Sequence, residues 1–324
     1  MKTILLAGGA GYVGAHAAKF FSNNGYKVIT LDNLIYGHEE FVKWGEFFQG
    51  DIGDAELLKL IFSKYRIDVV SHFAAFTYVG ESVTNPEKYY ENNVNKALVL
   101  LGEAAKHNIK IFQFSSTCAV YGVPDFLPLT EEHKKNPINP YGKTKMFFEE
   151  AIKDFASAYD FSYSILRYFN AAGADPDAEI GEDHNPETHL IPLILDAALG
   201  KRKNIHVFGI DYNTPDGSCL RDYIHVNDLA KAHLLAIEKG LNSQYNTIYN
   251  IGNGNGFSVL EVIEKVKKIT GKNFEVLLGD RRPGDPESLI GSSEKIFKEL
   301  GWKAQFGLDE IIKTAWKWHK KRFG

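Results

Sequence analysis

The stretch TILLAGGAGYVG, residues 3–14, limits what this chain can fold into more than any other part of it. An apolar run of strand length ends at Gly8, and glycine recurs at positions 11 and 14 as an amphipathic segment begins. Glycines so placed permit a tight turn, a close backbone approach to an anion, and close packing of helix on strand. The free N–H groups and positive dipole end of the following helix face the same point. Turns collect glycine for other reasons, so the triplet gains weight from lying between a strand and a helix. Asp32 closes the next apolar run, KVITLD, 18 residues past Gly14. An acid there accepts hydrogen bonds from an adenine ribose and repels a 2′-phosphate, which predicts a dinucleotide site that prefers NAD to NADP. The plainer reading of Asp32 is a strand-end cap on the turn at Asn33.

The same alternation continues. Strands are predicted over Thr3–Gly8, Lys27–Asp32, Phe47–Asp51, Asp68–Ala74, Lys110–Ser116 and Tyr163–Phe169. Helices are predicted over Tyr12–Asn23, Ala55–Lys64, about Pro86–Lys106 and Tyr141–Tyr159. Strand–helix–strand order with right-handed crossovers makes an α/β, doubly wound parallel sheet of the Rossmann kind. After Asn170 the text changes to AAGADPDAEIGEDHNPETH, a long loop, and loops of that length in compact domains are usually functional. Shorter elements follow: helices near 190–199, 226–238, 259–269 and 308–320, and strands near 206–208 and 246–251. The expected division is a Rossmann domain over 1–170, with returning segments near 219–252, and a smaller interleaved α/β substrate domain over 171–324.

A net charge of −4 and the lack of any Lys or Arg block argue against a nucleic-acid partner. No run is long and apolar enough for a membrane span, and the opening residues are too glycine-rich for a signal peptide. Cys118 and Cys219 lie far apart with no metal-type spacing, so no metal is expected and a reduced, cytoplasmic home is.

In NPYGKTK, residues 139–145, Tyr141 stands four positions ahead of Lys145, so on a helix both project from one face. Pro140 suits the first helical position. An ordinary amphipathic helix would carry the same spacing. As a catalytic pair, the tyrosine must become a base, and moving a phenol from about 10 to about 7 takes roughly 4 kcal/mol. A helix N-terminus supplies only ~0.3–1 kcal/mol, whereas a cation about 4 Å away in a partly shielded site supplies roughly 4 kcal/mol. Were Tyr141 a base, Lys145 and a positive nicotinamide ring would be the two cations available to hold it as phenolate.

These motifs occur in order with LDNL (31–34), GDI (50–52), HFAA (72–75), VGES (79–82), NNVN (92–95), FSST (114–117), VYG (120–122), LRYFNAAGA (166–174), RDYIHVNDLA (221–230) and RRPGD (281–285). Together they resemble the UDP-glucose 4-epimerases of the extended short-chain dehydrogenase/reductase family, over nearly the whole chain. The resemblance implies an NAD-dependent isomerase that inverts C4 of a UDP-sugar through a 4-keto intermediate. It implies Tyr141 as catalytic base, Lys145 as its partner and Thr117 as the hydroxyl on the sugar O4. For NAD it implies Gly8, Gly11, Tyr12, Val13, Gly14, Asp32, Asn33, Asp51, Ile52, Phe73, Ala74, Ala75, Asn92, Tyr141, Lys145 and Tyr168. For the UDP-sugar it implies Thr117, Tyr141, Phe169, Asn170, His189, Leu190, Arg221, Tyr223, Arg282, Asp285 and Leu289. Asn170 is expected on the diphosphate, with Arg221, Arg282 and Asp285 on phosphates and uridine ribose. A homodimer through the Pro86–Lys106 and Tyr141–Tyr159 helices is likewise implied.

Three positions depart from enterobacterial relatives: Thr77 stands for a Lys, His189 for an Asn that contacts substrate, and Leu289 for a Tyr beside the sugar. His225 matches no catalytic position and is expected to be a packed, hydrogen-bonded histidine. A 4,6-dehydratase would need an acid and a base after Thr117, where this chain has Cys118 and Ala119. An epimerase of UDP-glucuronate, UDP-pentoses or UDP-N-acetylhexosamines, or a non-catalytic NAD-binding regulator, are the remaining alternatives. The regulator is disfavoured because Thr117, Tyr141 and Lys145 are all present.

Overall fold

The computed structural model describes residues 1–282 and 286–324. Its first half forms β1 (Thr3–Ala7), α1 (Tyr12–Asn23), β2 (Lys27–Asp32), β3 (Glu46–Gln49), α2 (Ala55–Lys64) and β4 (Val69–His72). There follow α3 (Val79–Thr84), α4 (Pro86–Tyr90), α5 (Ala97–Lys106), β5 (Ile111–Thr117), α6 (Pro140–Tyr159) and β6 (Ser162–Tyr168). All five residues of β1 are buried, as a strand covered by helices on both faces requires. It lies inside a seven-stranded parallel sheet of order β10-β6-β5-β4-β1-β2-β3, where β10 is Thr247–Ile251. The order 3-2-1-4-5-6 within it is that of a dinucleotide-binding sheet, and it reverses between β1 and β4, where a crevice opens at the strands' C-terminal ends. The doubly wound sheet expected from the alternation is therefore the one observed.

The second half adds β7 (Asn170–Ala172), α7 (Leu190–Ala198), β8 (Asn204–Phe208), β9 (Leu220–His225) and α8 (Val226–Asn242). After β10 come β11 (Gly256–Ser258), α9 (Val259–Thr270), β12 (Glu275–Gly279), β13 (Ser288–Leu289), α10 (Glu294–Leu300) and α11 (Leu308–Phe323). β9 is the centre of a small sheet, pairing in parallel with β7 and β13 and antiparallel with β11. From β9 the chain returns to the large sheet: Leu234 and Ile237 of α8 share a core with Ala17, Ala18 and Phe21 of α1. A separate core joins α7, α9 and α11 through Ile194, Ile263 and Ile312.

The segment expected as one long helix over 86–106 is interrupted. A wide, π-type turn occupies Glu91–Lys96 between α4 and α5. Asn93 inside it accepts from the Phe76 N–H and donates to the Phe76 carbonyl, both at 2.9 Å, so the helix is tied to the chain leaving β4. Wide turns of this kind recur at functional sites. The start of α6 follows its local sequence: Asn139 caps it by accepting from the Gly142 N–H at 2.8 Å, with Pro140 in the first turn. His225 is fully buried, bonded to Thr314 Oγ1 at 3.0 Å and to the Asn227 N–H at 3.1 Å, the packed histidine that was expected.

One polar network fastens α6 to the sheet. Arg167 on β6 donates from Nε and Nη2 to the two carboxylate oxygens of Glu149 on α6, at 2.9 and 2.6 Å. Ser116 Oγ at the end of β5 donates to the same carboxylate at 2.6 Å. Arg167 Nη1 donates to Tyr121 Oη, which in turn donates to Asn250 on β10. The Glu149 side chain has no solvent exposure, so removing one partner strands the other charge in the core. Glu149→Gln is expected to destabilise the protein by about 3–5 kcal/mol, read from urea unfolding midpoints. Glu149→Leu with Arg167→Met should recover much of that loss, and a Gln variant as stable as the parent would contradict this account.

Candidate active site

A cavity of about 750 Å³ runs along the C-terminal ends of the large sheet's strands. At its floor, the turn after β1 shows why glycine is needed at two of the three spaced positions. Gly8 has φ of +85°, and a Cβ on it would lie 2.4 Å from Ala74 N. A Cβ on Gly14 would lie 2.0 Å from the Gly8 carbonyl oxygen, so α1 seats directly on the turn. Gly11 differs: its Cβ would meet nothing nearer than 3.6 Å. The protein itself has space for a side chain at 11, and that space belongs to the cavity. Gly11 also caps α1 with no side-chain hydrogen bond and no acid in the first turn, so the positive helix end faces the cavity unopposed.

Asp32 ends β2 on the cavity wall, oriented by the Ala10 N–H at 3.0 Å and the Leu34 N–H at 2.9 Å. Burial raises its pKa, and those two hydrogen bonds oppose the rise. Tyr12, Val13, Asn33, Ile52, Phe73, Ala74, Ala75, Asn92 and Tyr168 line the same cavity. Asp51 does not. Its carboxylate is drawn away to Lys96 at 2.8 Å and to Asn33 Nδ2 at 3.1 Å, and it lines a separate small hollow.

Thr117, Tyr141 and Lys145 meet in the middle of the cavity. Thr117 is the last residue of β5; its hydroxyl accepts from the Ala119 N–H at 3.1 Å and lies on the cavity wall with the Tyr141 phenol. Tyr141 and Lys145 share a face of α6, as the spacing predicts. The chain's own groups do not by themselves make Tyr141 a phenolate. Lys145 Nζ donates to the Ser115 carbonyl at 2.8 Å and stands 6.0 Å from the centre of the Tyr141 ring. Burial brings the lysine down to about 7 and pushes the Tyr141 phenol up, which the influence of the Thr117 hydroxyl only partly offsets. Desolvation is the largest influence on both groups, and the chain's own groups leave Tyr141 a neutral phenol. Cys118 is likewise raised to about 12 by burial, so no acid or base follows Thr117.

The small sheet forms the far wall. Asn170 on β7 donates to the Asp222 carbonyl at 2.9 Å, and Leu289 on β13 pairs in register with Arg221 on β9. Phe169, Asn170, Arg221, Arg282 and Leu289 all line the cavity; the Arg282 guanidinium lies 3.9 Å over the Phe208 ring. Two expected substrate residues are not on the wall. Tyr223 is buried at 4% exposure, and Leu190 packs into the core of α7, α9 and α11. Asp285 lies outside the described residues. Thr77 does line the cavity.

The long loop before α7 closes one side and brings residues that the motifs did not single out. His38 Nε2 bonds the Asp183 carbonyl at 2.9 Å and Tyr78 Oη donates to the Pro186 carbonyl at 2.7 Å, so the loop is tied to both flanks of the crevice. Glu182 and His184 join His189 on the wall. Burial works against charge on both histidines, but Glu182 and Glu187 outweigh it and raise His184 to about 9 and His189 to about 10. The signal in sequence was the pairing of acids and histidines in GEDHNPETH, without a partner outside the loop to give it meaning.

A sequence profile of the NAD dependent epimerase/dehydratase family matches residues 4–252. The chain belongs to that family. It is 47% identical over 321 residues to the UDP-glucose 4-epimerase of Rhizobium meliloti (strain 1021), covering 99% of this chain and 98% of the relative. A crystal structure of UDP-glucose 4-epimerase from Brucella ovis in complex with NAD superposes with a TM-score of 0.96 at 46% identity, over 98% of each chain. The Bifidobacterium longum enzyme, solved with NAD+ and UDP, superposes with a TM-score of 0.95 at 39% identity, over 99% of each chain.

The cofactor of this family member is NAD, and the residues present fit it: an open Gly11, a free helix end for pyrophosphate, and an acid at 32 for a ribose. Gly11→Ala is expected to change stability by no more than about 1 kcal/mol while lowering NAD affinity at least tenfold, because the added methyl meets only ligand space. Gly14→Ala should instead disturb folding itself. Thermal melts and NAD titrations of the two variants decide this, and unaltered NAD binding by Gly11→Ala would refute it.

Proposed function

We propose that this chain interconverts UDP-glucose and UDP-galactose by inverting C4 through a 4-keto sugar. The observation that carries the reading is the convergence of Thr117, Tyr141 and Lys145 in the cavity that Arg221 and Arg282 also line. Bound NAD supplies a reversible hydride acceptor, so the net reaction is redox-neutral. Tyr141 takes the proton of the sugar 4-hydroxyl through its phenolic oxygen and returns it after the sugar has presented its other face. Thr117, on the same wall as that phenol, holds the reacting hydroxyl in line. Lys145 anchors to the Ser115 carbonyl, and its buried amine would hold the nicotinamide ribose when NAD is bound. Arg221 and Arg282 clamp the diphosphate, for which a planar guanidinium fork is suited. Since burial disfavours the phenolate, Tyr141 becomes a base only as charge and hydrogen bonds arrive with the ligands.

The assay is direct: Tyr141→Phe should keep the fold and its NAD yet lose at least about 10²-fold in UDP-galactose turnover, the usual worth of a positioned general base. Full activity in that variant would remove the tyrosine from its role.

Leu289 lines the cavity beside the in-register Arg221 and is the residue we assign to grading the sugar's C2 substituent. A methylene or two in a pocket shifts discrimination by about 1–3 kcal/mol, so UDP-N-acetylhexosamines should be poor substrates rather than excluded ones. Leu289→Cys should raise their turnover relative to the plain hexoses, measured as a ratio of kcat/KM values. Wild-type efficiency on UDP-N-acetylglucosamine equal to that on UDP-glucose would argue for a different gate.

The chain is further proposed to form a twofold homodimer through the helices spanning 86–106 and 140–159. Phe147 and Tyr159 of α6 are half-exposed there, and Tyr90 lies 6.2 Å from the Phe147 ring. An isologous pairing would cover them. Light scattering at micromolar concentration should give twice the chain mass, and a monomer would count against it. No helix among the described residues is long and apolar enough to cross a membrane.

A further inference from the structure

Glu182, His184, Glu187 and His189 gather at the edge of the crevice, and the proposed reaction gives the four together no task. One donor atom from each lies within 4.8 Å of every other. We propose that they form a binding site for a zinc-class divalent cation that clips the 182–189 loop into a closed ring beside the cofactor crevice.

The donor spacing is the first argument. His189 Nδ1 is 2.8 Å from Glu182 Oε1 and 3.0 Å from Glu187 Oε1. His184 Nδ1 is 3.4 Å from Glu182 Oε1 and 3.5 Å from Glu187 Oε2. A tetrahedral zinc with bonds of about 2.0–2.2 Å has ligand-to-ligand edges of about 3.3–3.5 Å, and the four separations straddle that value. The second argument is His184 itself. Its Nδ1 is buried and, despite the nearby carboxylates, makes no hydrogen bond, because the contacts lack the alignment of one. A ring nitrogen directed at two carboxylates without bonding either is placed as a ligand is placed.

Chemistry sets the class of ion. Two neutral imidazoles and two carboxylates exactly neutralise a dication, so the loaded site buries no net charge. A mixed nitrogen and oxygen set suits zinc and its transition-metal neighbours, whereas calcium and magnesium take oxygen alone. All four ligands come from one eight-residue span, Glu182 to His189, so binding would fix a segment that already bonds Tyr78 and His38 on opposite sides of the crevice. The alternative occupant is no ion at all: the same groups close on themselves as two imidazolium–carboxylate pairs.

The test uses the full chain with its NAD, stripped with EDTA and titrated with zinc chloride against a chromophoric chelator. One zinc per chain is expected, with a K-edge absorption spectrum showing only nitrogen and oxygen donors, imidazoles among them. His184→Ala and the milder Glu187→Gln should each weaken binding by more than the roughly 10–100-fold that losing an outer-sphere partner costs. Melting curves of the metal-free variants check that each remains folded; the half-buried Glu187 supplies a usable variant if the histidine does not. No uptake at micromolar free zinc, or uptake undiminished in folded Glu187→Gln and His184→Ala proteins, would overturn the proposal in favour of ion pairs alone.

Discussion

Everything in the crevice hangs on a charge pair that never touches it. Glu149 and Arg167 meet in the interior with two parallel hydrogen bonds, and Ser116, Tyr121 and Asn250 complete their bonding. Glu149 lies one helical turn beyond Lys145 and two beyond Tyr141 on α6, so holding the carboxylate fixes the rotation and height of the residues above it. Of the other members, Ser116, Arg167 and Asn250 stand on β5, β6 and β10, and Tyr121 in the turn after β5. A displaced α6 would break bonds to charged groups that have no water to turn to, a far steeper restraint than apolar packing, which tolerates sliding. Reactive geometry needs tolerances of a fraction of an ångström, and this network supplies that stiffness from behind.

Burial sets the electrostatics of the reacting pair as firmly as the network sets its position. Both Tyr141 and Lys145 are enclosed, and enclosure penalises each charged form: the phenol moves up, the amine down to about 7. In that state the enzyme carries an uncharged acid and an amine poised near neutrality, anchored on the Ser115 carbonyl. Such a pair is responsive. A small added charge or hydrogen bond alters proton ownership far more in a shielded site than the same change would in water.

What sequence could reveal, and what it could not, follows from the range of the interactions. The Gly8–Gly14 turn and the Tyr141/Lys145 pairing are local, governed by helix and turn geometry, and both were legible. The parallel, doubly wound character of the sheet followed from the rhythm of apolar runs, while the strand order came from the structure. The long helix over 86–106 was only half legible, because its wide turn depends on Asn93 reaching Phe76 across the fold. Asp51 was read as a cofactor residue, but its orientation is decided by Lys96, forty-five positions away in the chain. Tyr223 and Leu190 sit in the right segments with their bulk in the core rather than the crevice. The electrostatics of Tyr141 were only half legible: spacing gives the distance between two groups along a helix, while the cost of charging them depends on enclosure by segments elsewhere. The loop acids and histidines were visible as letters and became a cluster only when the loop closed on itself.

The short strand β13 carries one more consequence. Leu289 and Arg221 occupy the same rung of a parallel ladder, joined through backbone rather than through side chains. The residue assigned to sensing the sugar and the one assigned to gripping its phosphates thus share a single mechanical mount. A bulkier sugar that presses on Leu289 pushes the same rung that steers the guanidinium, and a slip of one residue in so brief a strand would turn Leu289 to the opposite face. Breadth of diet and tightness of hold are coupled here by one backbone ladder, so a variant that accepts a larger sugar should be recognised by a changed affinity for UDP itself.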